Sequence, residues 1–336
     1  MALINIGTPT NTPTGDTLYD AFTKINLIVG NGNGNVSSCT AIGIAAMSAV
    51  NTGASNTANG SYALSSNTSG YENTAIGRSA LQNNTTGYYN TAIGIASQNT
   101  STTTVANTSV GSFSLYNANV GNQNTAIGYG TLISNSSGAS NTALGHSALS
   151  SNTTFSNVTG LGLNAAVSAS NQVQLGDSAT TTYVYGTVQN RSDLRDKAEV
   201  RDTVLGLDFI NELRPVDYKW DLRDDYKSEM PTPLNEDATE EEKEAHKIVM
   251  DEWIDSCKPD NLTHDGTHTR SRYHHGLIAQ EVQDVIQASG VDFGGFQDHN
   301  IAGGNDILSI GYDELIAPMI KAIQELTARI NVLEGN

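Results

Sequence analysis

The chain has 336 residues, a formal net charge of −18 and two cysteines, Cys39 and Cys257. No basic patch suggests nucleic acid, no apolar run reaches membrane length, and no basic-then-apolar leader opens the chain. Two isolated cysteines make no disulfide framework, so folding in a cytosol is expected. Charge is divided unevenly: residues 1–190 carry net −2 and residues 191–336 carry net −16. A neutral half rich in Gly, Asn and Thr therefore precedes an acidic half of ordinary globular composition. The shift places a domain boundary near residue 190.

Residues 1–38 read as an extended, polar lead-in followed by a short helix. Asp16 can cap that helix, with Leu18, Phe22, Ile25 and Ile28 along one stripe, and it ends by Gly30. The segment is open to two uses, packing against the start of residues 39–190 or docking to another component.

Residues 39–190 are governed by a strict period. Gly43, Gly60, Gly77, Gly94, Gly111, Gly128, Gly145 and Gly162 are spaced 17 residues apart. The residue before each is Ile, Val or Leu, except Asn59, and a small residue followed by leucine comes shortly after, as in Ala80-Leu81. A period this short suits one coil of a β-solenoid, with two short strands and two turns. The alternation in Thr74-Ala75-Ile76 lines up the Ile, Val and Leu positions of stacked coils as a continuous apolar seam. Asn56, Asn73, Asn90, Asn107, Asn124 and Asn141 are spaced to form a ladder of side-chain amides. Eight coils at about 4.8 Å each predict a rod about 38 Å long. Each coil buries only a small residue and an Ile or Leu, so stability is expected to come from neighbouring chains. Cys39 and Val158 interrupt the Asn column, and Thr104 and Phe155 replace a second glycine. Val173–Gly176 and Thr182–Val188 read as strands that close the rod.

After Ser192 the pattern changes. Val204–Leu213 predicts an amphipathic helix stopped by Pro215, then a strand over Val216–Trp220. Residues 221–272 form an acidic excursion with a helix from Ala238 to about Trp253. A further helix comes after His274-His275-Gly276-Leu277 and ends near Gly290, and Ile307–Ile310 predicts a strand. Ile316, Met319, Ile323, Leu326, Ile330 and Leu333 make a heptad seam, so the last helix predicts a coiled coil.

The repeat resembles the heads of trimeric autotransporter adhesins and the shafts of phage fibres, which are three-chain assemblies. The lead-in resembles phage structural N-termini. Ser192-Asp193-Leu194-Arg195-Asp196-Lys197, the strand after Pro215, His275-Gly276-Leu277-Ile278-Ala279-Gln280-Glu281-Val282 and Tyr312-Asp313-Glu314-Leu315-Ile316 resemble, in order, the endosialidase-type intramolecular chaperone domain of phage tail fibres and tailspikes. That resemblance covers residues 191–336, with 221–272 as a variable insertion. It implies a domain that trimerises, templates the folding of the shaft and then cuts itself off. The implied scissile bond is Arg191-Ser192, with Ser192 as nucleophile and Lys197 as base. A serine needs a base, and a lysine serves once burial lowers its pKa. A nearby Ser and Lys alone would mean nothing; family context carries the assignment. His274, His275 and Gln280 are candidate auxiliaries for polarising the Arg191 carbonyl, beside a purely structural role.

The expected fold is thus a mainly β, 17-residue-repeat solenoid followed by an α+β domain ending in a coiled-coil helix. The expected function is a bacteriophage tail fibre assembled in the host cytoplasm, with no cofactor and no metal. Its expected partners are two further copies of itself, other virion tail proteins at the N-terminus, and a host receptor or glycan. His264, His268, His274, His275 and Cys257 fit no closed zinc site. A non-cleaving fibre is the alternative. A glycan hydrolase is disfavoured because the rod offers only Glu72 and Asp177 as carboxylates, far apart. A bacterial adhesin would need an export signal and an anchor, and an ice-binding solenoid would leave the second half unexplained.

Overall fold

The computed structural model describes residues 28–29, 39–49, 51–117, 120–177, 179–185, 188–190, 192–229, 231, 240–257, 261–302 and 307–335. The predicted lead-in helix from Asp16 to Ile25 lies outside them. Ile28, which its stripe could include, sits instead in strand β1 (Ile28–Val29), antiparallel to β2 (Thr40–Ile42). The chain packs as two compact units, Met1–Val167 and Ser168–Asn336. The break in packing thus comes before the break in composition near residue 190.

The first unit is a parallel β-solenoid. Strands β2, β3 (Thr57–Asn59), β4 (Thr74–Ile76), β5 (Thr91–Ile93), β6 (Thr108–Val110), β7 (Thr125–Ile127), β8 (Thr142–Leu144) and β9 (Thr159–Leu161) pair in parallel, each with the next. The register never slips: Thr faces Thr, and the two residues after it match one for one. Among the described residues each coil contains one three-residue strand, not the expected two. The opposite side of the coil is a run of turns in which Ser79 and Leu81, and their equivalents, take positive φ. Such conformations are costly for residues with a Cβ. They are held here by bonds between coils, as from Leu64 N–H to the Ala80 carbonyl at 3.1 Å and Leu81 N–H to that of Ser97 at 3.0 Å. At the recurring corner only glycine fits. Gly77 has φ +126°, and a Cβ there would lie 2.7 Å from the Gly94 carbonyl carbon.

The interior of the coils corrects one expectation. Ala75 and its equivalents point inward and are fully buried, together with Ala63, Ala80, Leu64, Leu81, Leu115, Leu132 and Leu149. The Ile column faces outward: Ile42, Ile76 and Ile127 are 40%, 37% and 40% exposed, and Leu144 is 49% exposed. Thr-Ala-Ile alternates as a strand must, but the small middle residue is the inner one. There is room inside for a methyl at each strand and a leucine from the facing turn. Asn59, where Ile was expected, therefore sits outside and costs the core nothing.

The Asn column is the other half of the interior. Each Asn Oδ1 accepts the backbone N–H of the next Asn: Asn56 to Asn73 at 3.0 Å, Asn73 to Asn90 at 3.0 Å, Asn107 to Asn124 at 2.8 Å. Each Nδ2 donates to a carbonyl across the coil, such as Gly70, Gly87 or Thr104. Cys39 enters the same column, its Sγ accepting from Asn56 N–H at 3.3 Å. Thr104 and Phe155 are absorbed because the ladder uses their backbone carbonyls only. A second pair of amides, Asn67 and Asn84, stacks at the next corner with Nδ2 to Oδ1 at 2.8 Å. In one coil the leucine is replaced by Gln98, fully buried, whose Nε2 donates to the Thr91 carbonyl at 3.0 Å and to Ser109 Oγ at 2.8 Å. This polar plug divides the apolar interior into two clusters.

The second unit is α+β. It opens with β10 (Val173–Leu175); the expected strand over Thr182–Val188 is absent among the described residues, where Tyr183 and Tyr185 are fully open. Helix α1 (Leu207–Glu212) and strand β11 (Val216–Tyr218) come next, then α2 (Glu240–Ser256) in the acidic excursion. After them lie β12 (His274–Gly276), α3 (Ala279–Ser289), β13 (Phe296–Asp298), β14 (Leu308–Ile310) and α4 (Ile316–Glu334). β11 pairs antiparallel with β12, and β13 with β14. A small core joins Phe209, Val282, Phe293 and Leu315, with the Phe209 and Phe293 rings 5.4 Å apart. Gly290 ends α3 in the left-handed conformation. The α4 seam is uncovered in one chain: Ile316, Met319, Ile323, Leu326 and Ile330 are 44–62% exposed, and Leu333 is 86% exposed.

Candidate functional site

Ser192 and Lys197 meet. Asp193 caps a 3₁₀ turn over Leu194–Asp196, its carboxylate accepting from Arg195 N–H at 2.9 Å. The turn closes through Lys197 N–H to the Leu194 carbonyl at 3.2 Å. Folding back over five residues brings Lys197 Nζ to 2.7 Å from Ser192 Oγ, with the ammonium donating. Arg195 clamps Asp193 from the side, at 2.5 Å, and holds its carboxyl below the usual carboxylate range. Arg191, whose carbonyl would be attacked, lies outside the described residues.

The neighbourhood is built from the other motifs. Asn190 Nδ2 donates to Asp313 Oδ2 at 2.7 Å, so the residue two before Ser192 is tied to the turn that opens α4. In the same turn Tyr312 Oη accepts from Leu277 N–H at 2.9 Å. Gly276 leaves room for this, since a Cβ there would overlap the Tyr312 hydroxyl. One turn therefore holds both the segment preceding Ser192 and the end of β12. Sequence reading missed Asn190 and Asp313; the signal was Asp313's place beside Tyr312 in a motif already singled out.

The auxiliaries are placed differently. His275 Nδ1 pairs with Asp217 Oδ1 at 2.5 Å across the β11–β12 ladder, and His274 stacks near Tyr218 with ring centroids 6.0 Å apart. Gln280 lies exposed in the first turn of α3. Among the described residues, no hydrogen bond joins these three to Ser192 or Lys197. Arg214 forks onto Glu281, one residue on from Gln280, and fixes that helix start to the end of α1. No cluster of three His, Cys, Asp or Glu among the described residues is placed to hold a metal ion.

Chemically, the pair has the reach of a nucleophile and its base but not the surroundings. Both side chains are exposed in a single chain. A lysine accepts a serine proton only when burial disfavours its charged form. Activation therefore requires something further to cover the pair.

Scanned against protein-family models, curated proteins and solved structures, the chain matches none. Fold and geometry alone define it as a β-solenoid repeat protein with an appended α+β unit.

Proposed function

We propose that the chain is one subunit of a homotrimeric, phage-type tail fibre, in which the solenoid is the shaft and the second unit drives assembly. The observation that carries this reading is the outward Ile column. A soluble monomer seldom exposes a long apolar stripe, broken here only at Asn59, whereas a side-by-side assembly covers one. The open α4 seam supports the same reading, since heptad-spaced Ile and Leu bury themselves only against other helices. The period adds a reason for like partners: only a surface repeating every 4.8 Å or so stays in register along the whole stripe. Light scattering of the purified chain is expected to give three times the subunit mass, and a monomer mass overturns the reading. Deleting residues 192–336 before synthesis is expected to leave the shaft monomeric or insoluble, since such coils depend on non-local contacts.

We further infer single-turnover cleavage at Arg191-Ser192, supported by the 2.7 Å approach of Lys197 to Ser192. The exposure of both side chains makes covering by neighbouring chains the trigger, so cutting would come after assembly. A second reading, a fibre that keeps the second unit as a permanent tip, is favoured by that same exposure. Denaturing electrophoresis of the wild type beside Ser192→Ala and Lys197→Ala separates them: an uncut wild type after complete assembly establishes the permanent tip.

A further inference from the structure

Apart from the outward Ile column, the shaft carries two aromatic clusters, one of Phe113, Tyr116, Tyr129 and His146 and one built on a tyrosine stack. Tyr71 and Tyr88 stack with ring centroids 4.7 Å apart and planes within 5°, and Tyr89 stands edge-on to both, at 5.5 and 5.2 Å. Tyr71 is 36% exposed and Tyr89 51% exposed. Ala54, Tyr71, Tyr88 and Val105 occupy one position in four successive coils. The column is held by backbone bonds, Glu72 N–H to the Ala54 carbonyl at 2.9 Å, Tyr89 to Tyr71 at 3.2 Å and Ala106 to Tyr88 at 3.1 Å. Tyr88 is flanked by Tyr71 on one side and by Val105, its bridge partner, on the other. On Tyr71's other side the column offers only the Ala54 methyl. The stack thus ends in a ring whose outer face has no ring beneath it.

Next to Tyr71 in the chain is Glu72, the only carboxylate between residues 40 and 167, and it is exposed. The Tyr71 phenol is pushed up, first by desolvation and then by Tyr89, Tyr88 and Glu72.

We propose that Tyr71, Tyr88, Tyr89 and Glu72 form a carbohydrate-binding platform, with a pyranose ring extending the tyrosine stack over Ala54. The C–H face of a pyranose carries slight positive charge and meets the negative face of an aromatic ring, while its edge hydroxyls need a polar partner. Tyr71 supplies the face and Glu72 the partner. A nucleobase would stack as well, but single-stranded nucleic acid also needs a positive groove. Arg78 is the only Lys or Arg between residues 40 and 167, so a sugar is the better fit.

The platform rests on the attachment-shaft reading for its biological use, but its test does not. The full-length protein is applied to an array of hexose, N-acetylhexosamine and deoxyhexose oligosaccharides, and the best free sugar is then titrated. Wild type is expected to bind, and Tyr71→Ala to weaken binding about tenfold or more, the loss of one stacking contact. Ala54→Tyr adds a third ring where the sugar would lie, in a column that already accepts tyrosine, and is expected to weaken binding as strongly. Glu72→Gln is expected to weaken it less. No binding to any member of the array overturns the platform, as does binding undiminished in Tyr71→Ala and Ala54→Tyr. A change of particle mass in either variant also overturns it, marking the cluster as a contact between copies. A trimer that binds no sugar sinks the platform alone; a monomer that binds sugar sinks the fibre reading alone.

Discussion

Asn190 and Asp313 are joined side chain to side chain at 2.7 Å, and through them the segment leading to Ser192 is anchored to the turn at the head of the last helix. If the dyad cuts, that anchor holds the residue next to the scissile Arg191-Ser192 bond. Asp313→Ala is expected to slow cleavage roughly tenfold or more while leaving helix content unchanged, because small misplacements of reacting groups are expensive. Band intensities over time on a denaturing gel, beside far-ultraviolet circular dichroism, measure both. Unchanged cleavage would show that the anchor has no part in positioning the bond.

The shaft should be most sensitive at its amides. Asn90 is fully buried, donating to Asn73 Oδ1 at 3.1 Å and the Thr104 carbonyl at 2.7 Å, and accepting from Asn107 N–H at 3.1 Å. Asn90→Ala strands a buried donor and acceptor and is expected to cost about 3 kcal/mol. Leu81→Ala should cost a similar amount, about 3 kcal/mol, by leaving a cavity. Denaturant melts of the two variants against an exposed control, Asn83→Ala, test the comparison.

Gln98 and Ser109 should behave in the opposite way. Replacing both by apolar residues, Gln98→Leu with Ser109→Ala, restores the pattern of the neighbouring coils. Removing both partners of a buried polar contact avoids stranding either, while the buried Ser97 Oγ loses Ser109 and keeps only the Ser114 carbonyl at 3.5 Å, so a gain of about 1 kcal/mol is expected. Gln98→Leu alone should gain less. A loss in the double variant would mean that the plug holds the coils in place by more than its hydrogen bonds.

Surface and interior substitutions should separate folding from assembly. Ile127→Asp on the outward column and Leu326→Asp on the α4 seam change residues that are 40% and 44% exposed and lie outside the buried core. Both are expected to lower particle mass without changing secondary structure, as read by light scattering and circular dichroism.

Stability of the second unit should fall with acid through His299. Its Nδ1 meets Ser168 Oγ at 2.6 Å and its Nε2 meets Ser309 Oγ at 3.1 Å. Burial pushes its pKa down, opposed by Asp298. The unfolded chain then takes up a proton first as pH falls, so stability is full above the ordinary histidine value of about 6.5 and declines below it. His299→Gln should flatten that part of the stability–pH curve, and an unchanged slope would assign the effect elsewhere.

The repeat was legible because glycine at a fixed interval has a single cause, a corner no other residue can turn. The amide ladder came from the same count. What the pattern hid was direction. In Thr-Ala-Ile the largest apolar residue invites burial, yet Ala75 is inside and Ile76 outside, because a narrow coil admits only a methyl there. Gln98 was passed over for a related reason: a search for recurring leucines says nothing of the coil that lacks one. In the second half the helices were readable from periodicity, whereas the Ser192–Lys197 pair was singled out by family resemblance and not by its spacing. The Asn190–Asp313 tie was not, since it joins residues far apart in sequence through two small exposed side chains.

The unslipping register of the solenoid also determines how such a chain can change length. Each coil presents its successor with the same donors, acceptors and methyl groups that it received, so a duplicated or deleted coil finds its neighbours already complementary. An insertion that shifts the register by any other number puts a side chain where Gly must turn and is disfavoured by the corner. The shaft is therefore adjustable in steps of one strand spacing, about 4.8 Å, with its cross-section unchanged. Reach and shape are inherited separately.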